Sequence, residues 1–265
     1  MTSLRARLEN AGLLALGGML LVFLALPLFA LLVTTSAAGF VDGLQHPLVW
    51  PALRLSLQTT SISLAIVVVL GTPLAWTLAR HRSRLARGIE TLLQLPIVVP
   101  PAVAGVALLL AFGRRGLLST VLGADTSLTF TTAAVVMAEV FVAAPFYLQA
   151  ATSAFGAIDG ELLTVARSFG TPPLALMLRV GMPLAWPGLV AGAAMCWARA
   201  LGEFGATLMF AGNLQGRTQT LPLAIYSALE ADLRAAQALS IVLVVIALVL
   251  LLGISGLRGR AVVGR

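Results

Sequence analysis

Two charged side chains, Arg199 and Glu203, interrupt an apolar run that is otherwise long enough to cross a membrane. A charge at the centre of a bilayer costs on the order of 3 kcal/mol, so both side chains need to face protein or water and meet partners. Four positions apart on a helix, they are placed to pair with each other. Two interpretations follow. The pair neutralises two charges and fixes the helix rotation, or it forms with Thr207 a polar stripe on a pore axis, beside Phe204 and Ala200.

Other residues that are able to do chemistry are sparse. Glu139 stands among apolar residues, where a carboxyl group is protonated, is hydrogen-bonded to a neighbouring helix, or takes part in ion coupling. The single cysteine, Cys196, excludes an internal disulfide and any multi-cysteine metal site. His46 and His81 are scattered and lack the spacing of metal ligands. The sequence therefore predicts neither a metal site nor a catalytic group.

The basic residues exclude two further classes of function. All 17 are arginine, so the chain lacks the lysine with which a P-loop reaches phosphates. A nucleotide-driven function would therefore need a partner subunit. The net charge of +7 does not indicate nucleic acid, because the arginines lie in short loops between apolar runs rather than on one soluble face.

The composition is that of a polytopic membrane protein. Of the 265 residues, 59% are hydrophobic and 10% charged, whereas about a quarter are charged in a typical soluble domain. Four long windows carry no formal charge and are each able to span about 30 Å. Two more are as long but are interrupted by Glu139 in one and by Arg199 with Glu203 in the other. We predict six transmembrane helices, within 9–42, 54–80, 90–114, 125–159, 179–217 and 234–258.

The first of these windows has a second interpretation. It follows Arg5 and Arg7 and precedes Ser36-Ala37-Ala38, a cleavage-like site, as in a signal peptide. Its apolar run exceeds the usual length of about 7 to 15 residues, which favours an uncleaved anchor.

The arginines also set the predicted orientation. With the N-terminus in the cytoplasm, 11 arginines fall on that side and 5 on the other, with Arg199 inside the membrane. This bias predicts that both termini are cytoplasmic. Two outer residues, Arg114 and Arg115, count against the bias and are candidates for docking an acidic partner outside. The cytoplasmic set is Arg5, Arg7, Arg80, Arg82, Arg84, Arg87, Arg167, Arg179, Arg258, Arg260 and Arg265.

Helix breakers lie inside the predicted spans. They are Pro96, Pro100 and Pro101 in the third, Pro145 in the fourth, and Pro183 and Pro187 in the fifth. Such prolines free backbone carbonyls that need partners in protein or in a watery cavity. The third and fifth spans are therefore pore-side candidates, with ordinary packing kinks as the alternative. Close helix approach is predicted at Gly188, Gly192, Gly202 and Gly205.

A short amphipathic helix is predicted after the fourth span. Asp159 caps its start, Glu161 lies in its first turn, and Gly170 supplies the left-handed residue that ends it. Such a helix cannot bury an apolar stripe alone. The stripe comprises Leu162, Val165, Ala166 and Phe169, with Glu161, Thr164, Arg167 and Ser168 on other faces.

This segment resembles the cytoplasmic coupling motif of bacterial ABC importer permeases. The motif has a small-residue triplet, a glycine four positions after it, and ten positions further a β-branched residue followed by a hydrophobic residue and proline. Its positions here are Thr164, Val165, Ala166, Gly170, Val180, Met182 and Pro183. The family usually has glutamate in place of Thr164 and alanine in place of Val165, so an ion pair between position 164 and an ATPase is not expected.

Three stretches are similar more narrowly to the molybdate/tungstate permease subunits, which are related to sulfate permeases. They read LPIVVPPAVAGVALLLAFGRRG, ARALGEFGATLMFAGN and RTQTLPLAIY, and the likeness runs from about Trp50 to the end. The resemblance implies an all-α integral membrane fold with six transmembrane helices. It also implies a single permease domain over residues 1–265, with a cytoplasmic coupling helix at about 159–179, between the fourth and fifth spans.

The same resemblance implies a transport subunit rather than an enzyme, in the inner membrane of a bacterial cell. It would form a homodimer with two cytoplasmic ATPase subunits, which carry the ATP and Mg²⁺, so that this chain needs no cofactor. A periplasmic or lipid-anchored oxyanion-binding protein would deliver molybdate or tungstate. The coupling residues would be Glu161, Leu162, Thr164, Val165, Ala166, Arg167, Phe169, Gly170 and Pro183. The pore or gate residues would be Pro100, Pro101, Arg199, Glu203, Phe204 and Thr207.

Two alternatives remain at this point. Sulfate or thiosulfate permeases share much of the same pattern and differ in cargo. A self-sufficient channel or secondary transporter would need its own coupling carboxylates in the membrane, for which Glu139 and Glu203 are the internal candidates, and no inverted repeat is visible.

Overall fold

The computed structural model describes the backbone of residues 2–81, 83–122 and 128–263, and the side chains of residues 10–81, 83–121 and 128–253. These described residues form helices joined by turns and loops, with no β-strand. Part of the arginine count on which the orientation rests lies outside the described side chains, namely Arg5, Arg7, Arg82, Arg258, Arg260 and Arg265.

Thirteen α-helices follow one another along the described backbone. A π-helical segment, Met177–Gly181, lies between the ninth and the tenth. The helices are α1 (Thr2–Thr34), α2 (Ala37–Leu44), α3 (Val49–Arg80), α4 (Arg84–Val98), α5 (Pro101–Phe112), α6 (Leu117–Leu122), α7 (Thr132–Gly156), α8 (Gly160–Ser168), α9 (Pro173–Leu176), α10 (Met182–Leu201), α11 (Gly205–Ala211), α12 (Leu221–Ala231) and α13 (Leu233–Val263).

Six helical segments of the described chain are long and apolar enough to cross a membrane. They are Asn10–Thr34, Val49–Arg80, Pro101–Val121, Thr132–Gly156, Pro173–Leu201 and Leu233–Gly253. The prediction of an all-α protein with six spans is confirmed. Each segment falls at least partly inside the charge-free or interrupted window that the sequence assigned to it, because hydrocarbon excludes charge more strongly than it selects any particular residue.

The third span begins later than its window indicated. Pro96 lies inside α4, which precedes the span, and Pro100 lies at the break between α4 and α5. Pro101 occupies the first turn of α5, where the missing N–H leaves no hydrogen bond unmade. The prediction that Pro96 and Pro100 interrupt the third span was therefore wrong. The predicted window for the third span included the end of α4 because the absence of charge does not reveal a break between two helices.

The centre of the protein is the packing of α7 between α3 and α10. Tyr147 and Phe155 of α7 are buried there with Leu189 and Cys196 of α10. A Cβ added at Gly188 would lie 2.5 Å from the Cβ of Ala154, and one at Gly192 would lie 2.7 Å from the Cβ of Ala150. The predicted close approach is confirmed at these two glycines, since no larger residue fits between the helices.

Two smaller clusters complete the packing. The first joins α5, α7 and α11, where a Cβ added at Gly205 would lie 2.8 Å from the Cβ of Pro101. The second joins the beginning of α3 to α12 and α13 through Val49, Leu221 and Leu239. A Cβ at Gly202 would meet nothing closer than 3.8 Å, so its predicted role in close packing is not seen within the chain. By contrast, the large apolar side chains of α1 between Leu13 and Val33 are mostly exposed and need lipid or another chain to cover them.

Candidate functional site: the coupling segment and the interrupted fifth span

The short helix predicted after the fourth span is present as α8. The Oδ1 atom of Asp159 accepts a hydrogen bond from the backbone N–H of Glu161 at 2.9 Å, as an N-cap does. At the other end Gly170 has φ +77°, the left-handed conformation that glycine adopts at little cost. Both ends of this nine-residue helix are therefore set by the residues that the sequence indicated.

The apolar stripe of α8 divides into two faces. Leu162, Val165 and Phe169 are exposed, and the Phe169 side chain is 85% exposed. Leu163 is buried and Ala166 packs against the same core. Ala166, which the sequence placed on the same stripe as Leu162, is partly buried beside Leu163 rather than exposed. Leu163 and Ala166 are three positions apart, which places them on one face of a helix. The sequence analysis did not use this spacing because the apolar pattern at 162, 165 and 169 is stronger.

The polar residues of α8 are also accounted for. The hydroxyl of Thr164 donates to the carbonyl of Gly160 at 2.9 Å, within the helix itself. Glu161 is exposed beside the N-terminus, where the helix dipole favours an anion. Arg167 is exposed in the last turn and borders a cavity between α8 and α3. Nothing within α8 holds these side chains in an ion pair.

The link from α8 to α10 contains a π-helical turn. Pro172 and Pro173 begin α9, and the N–H of Met182 then donates to the carbonyl of Met177, five residues back. A Cβ at Gly181 would lie 2.5 Å from the Trp76 ring, so only glycine fits at this point. Isolated π-turns often occur at functional sites.

The motif residues around this turn attach it to the core. Val180 and Met182 both pack against the central cluster, and Pro183 begins α10, where its missing N–H is tolerated. Val180 and Met182 of the motif therefore attach the segment to the core, whereas Thr164, Val165 and Gly170 are exposed at α8.

Arg199 and Glu203 form the predicted pair. The Nη2 atom of Arg199 lies 2.9 Å from the Oε2 atom of Glu203, in an ion contact without the angle of a hydrogen bond. The arginine side chain is 27% exposed and the glutamate side chain 1% exposed. The other carboxylate oxygen, Oε1, accepts the backbone N–H of Ala206 at 2.8 Å. Glu203 therefore has a second role that the sequence did not indicate: it caps α11.

The continuous polar stripe expected for the fifth span is not present. α10 ends at Leu201 and α11 begins at Gly205, so Thr207 lies on a different helix from Arg199. Thr207 is fully buried, and Phe204 lies at the break with its ring 5.5 Å from that of Tyr226. Gly202 and Gly205, which lie before and after Glu203, could have indicated this break, because glycine weakens a helix interior.

Glu139 is hydrogen-bonded to a neighbouring helix, which was one of its two structural interpretations. Its carboxylate oxygens accept from the hydroxyls of Thr59 and Ser63 of α3, both at 2.7 Å. On the same helix Thr60 accepts the indole N–H of Trp197 at 2.9 Å. These hydroxyls tie α3 to α7 and α10. They repeat at intervals of three and four along α3, a pattern that the sequence contained and that went unused.

Arg114 and Arg115 lie exposed in the turn after α5. Neither forms an ion pair within the described residues, and no group of three potential metal-ligating side chains was found there.

Comparison with known proteins gives the family. Residues 71–262 match the family described as "Binding-protein-dependent transport system inner membrane component". The chain is 44% identical to the molybdenum transport system permease protein ModB of Mycobacterium tuberculosis, over 88% of this chain and 89% of that protein. It is 33% identical to the molybdate/tungstate transport system permease protein WtpB of Pyrococcus abyssi, over 93% of this chain and 94% of that one.

The fold is also found in a solved transporter. A bacterial ABC transporter involved in the import of the acidic polysaccharide alginate has a chain of the same fold, with a TM-score of 0.78, 19% identity, and coverage of 97% of this chain and 96% of that one. These relatives are transport components rather than enzymes. The chain thus belongs to the binding-protein-dependent transport system inner membrane component family and is an ABC importer permease subunit.

Proposed function

We propose that this chain forms the translocation pathway for molybdate or tungstate. The observation that carries the mechanism is the exposed apolar face of α8, formed by Leu162, Val165 and Phe169. Among the described residues, the core holds this helix through Leu163 and Ala166. Such a face needs a partner. The named permeases of M. tuberculosis and P. abyssi support the oxyanion as cargo.

The partner at this face is a cytoplasmic ATPase subunit, two of which work with two copies of this chain. ATP and Mg²⁺ belong to that subunit. Closure of the ATPases moves α8, and the displacement passes inward through Leu163 and Ala166. A second route runs through the π-turn, where Trp76 packs against Gly181, into α10. Glu161, Thr164 and Arg167 flank the apolar contact, and Gly170 and Pro183 limit the moving segment.

The pore lies along α10 and the break that follows it, in a homodimer. Arg199 supports this placement, since its side chain is partly exposed although it belongs to an apolar span, where a bare charge is costly. A second copy together with a watery path would cover it. Pro101 packs on Gly205 at the same break, which makes Pro100, Pro101, Phe204 and Thr207 the remaining pore or gate residues.

The outer side receives the oxyanion from a periplasmic or lipid-anchored binding protein. The exposed Arg114 and Arg115 are the proposed contacts for acidic residues of that protein. Both termini are cytoplasmic, the membrane is the bacterial inner membrane, and residues 1–265 form one permease domain.

Transport is tested by reconstitution in liposomes with a candidate partner ATPase and a candidate oxyanion-binding protein. ATP-driven uptake of labelled molybdate is expected, with competition by tungstate and weak competition by sulfate. Uptake that needs neither partner would support a self-sufficient transporter. Uptake of sulfate in preference to molybdate would mean that the chain is a sulfate permease, the alternative class.

Orientation is tested by cysteine labelling. Cys196 is buried, so its background labelling should be small. Cysteines at Ser83 and Thr171 are expected to react only from the cytoplasm, and one at Arg115 only from outside. Reaction of Thr171→Cys from outside would place α8 on the wrong side of the membrane for an ATPase.

A further inference from the structure

A basic cavity lies between α8 and the end of α3. Its volume is about 370 Å³, and its polar lining includes the side chains of Arg80, Arg167 and His81. Its apolar lining includes Trp76 and Leu174. Transport as proposed above uses Arg167 and Trp76 of this lining but assigns no ligand to the space between them.

The two arginines of this cavity have no acidic side chain paired with them within the described residues. The guanidinium group of Arg80 donates to the carbonyl of Phe155 and lies 4.8 Å from the centre of the Trp76 ring, but its Nε atom is buried without an acceptor. Arg167 lines the same cavity as Arg80, and neither forms an ion pair within the described residues. Two like charges around a shared space would be stabilised by an anion that binds both.

The position of the cavity favours one kind of anion. Arg80 is the last residue of the second span and Pro173 the first of the fifth, so the cavity lies where hydrocarbon meets the headgroups. Trp76 suits that interface. Leu174 is 65% exposed at the rim, where it would contact an acyl chain rather than water. Basic pockets between helices at this level bind lipid headgroups.

We propose that this cavity binds the phosphate of an anionic phospholipid. The phosphate accepts hydrogen bonds from Arg80 and Arg167, and one acyl chain lies along Leu174 and Met177. The bound lipid would connect α8 to α3 at the interface. This inference concerns lipid binding alone, so its failure would leave the transport function untouched.

Lipid retention by the purified full chain tests the proposal. The chain is equilibrated in mixed micelles of phosphatidylglycerol and phosphatidylcholine, washed, and analysed by mass spectrometry for lipid per protein. We expect preferential retention of phosphatidylglycerol, and Arg167→Gln should lower that preference roughly fivefold, the effect of one arginine near an anionic surface. Arg167→Lys, which keeps the charge, should retain most of it.

The matched control is Arg179→Gln. Arg179 is exposed in the π-helical segment and does not line the cavity, so the same loss of charge should change retention less than about twofold, the size of a small electrostatic effect. Equal losses in Arg167→Gln and Arg179→Gln would overturn the proposal in favour of general surface charge.

Two further arms separate other anions. If inorganic phosphate or glycerol phosphate at millimolar concentration removes the lipid preference, the cavity is a site for free anions and the proposal fails. If phosphatidylglycerol is released when the ATPase binds, and Arg167→Gln weakens ATPase binding without altering lipid retention, an acidic ATPase residue occupies the cavity and the proposal also fails. Retention that persists in both arms supports it.

Discussion

The short helices α8 and α11 begin with the same local chemistry and lie in opposite surroundings. In each, a carboxylate oxygen accepts a backbone N–H of the first turn, from Asp159 in α8 at 2.9 Å and from Glu203 in α11 at 2.8 Å. Asp159 is exposed, whereas Glu203 is buried. α8 buries Leu163 alone, whereas α11 buries Ala206, Thr207, Phe210 and Ala211.

This difference indicates which parts of the protein its own chain completes. An isolated helix shorter than about 12 residues is marginal in water, so both helices need support from outside themselves. α11 receives that support from α5 and α7, and its break from α10 is held by Glu203. α8 leaves its larger apolar face open. Substitutions in α11 should therefore destabilise the folded permease, whereas substitutions on the exposed face of α8 should weaken its binding to the ATPase.

The largest effect is expected at the buried start of α11. Arg199→Gln leaves the buried carboxylate of Glu203 without its counter-charge, which should destabilise the folded permease by about 3 kcal/mol. Glu203→Gln keeps an oxygen for the Ala206 N–H and leaves an arginine that water can reach, so its cost should be about 1 kcal/mol. Thermal unfolding of the detergent-solubilised protein measures both.

A third variant separates the two roles of Glu203. Glu203→Ala removes the cap as well as the charge, so it should be less stable than Glu203→Gln by about 1 kcal/mol. Equal stability of these two variants would mean that the cap contributes nothing. Equal destabilisation by Arg199→Gln and Glu203→Gln would mean that the pair acts as a neutralising unit, with no special burial of the carboxylate.

The second largest effect is expected at the exposed apolar face of α8. Phe169→Glu places a charge on the most exposed part of the α8 face and should weaken ATPase binding roughly 30-fold, as the loss of an aromatic anchor does. The melting temperature should stay unchanged, because Phe169 is 85% exposed and its replacement removes little packing. Titration of the ATPase against the permease in nanodiscs measures the affinity.

Leu214→Glu is the matched control for this variant. Leu214 is 43% exposed in the loop after α11 and lies outside the six spans. The orientation places that loop on the outer side, so the change should not affect ATPase binding. Ala166→Glu is a poorer test, since Ala166 packs inward and its variant should lose both stability and association. Unchanged binding by Phe169→Glu would mean that α8 is not the coupling element.

The sequence predicted those features that depend on local chemistry or on the exclusion of charge. The six spans, the α8 cap at Asp159, the left-handed Gly170 and the Arg199–Glu203 pair all belong to this class. Each depends on a few neighbouring residues or on a long apolar run, so a pattern along the chain was enough.

Features that depend on tertiary packing were either missed or predicted incorrectly. The break after Leu201 divides one apolar run into two helices, and hydropathy does not distinguish a run of two helices from one. Whether Ala166 faces in or out depends on where the central cluster lies relative to α8, which the sequence alone does not give. The bonds from Glu139 join helices about 80 residues apart in sequence, and single-sequence periodicity gives candidates for such contacts but not the pairing.

The smallest effect is expected at the glycines near the two ends of α8, its first residue Gly160 and Gly170 after its end. A Cβ at either Gly160 or Gly170 would meet no atom within 4 Å, and only Gly170 has a positive φ. Gly170→Ala should therefore cost about 1 kcal/mol through backbone strain alone. Gly160→Ala, with helical φ, should stabilise α8 by a few tenths of a kcal/mol. Hydrogen exchange of the α8 amides is expected to become about fivefold faster in Gly170→Ala and slightly slower in Gly160→Ala. Equal exchange in the two variants would mean that the left-handed residue does not limit the stability of α8, and that the partner alone decides whether this helix forms.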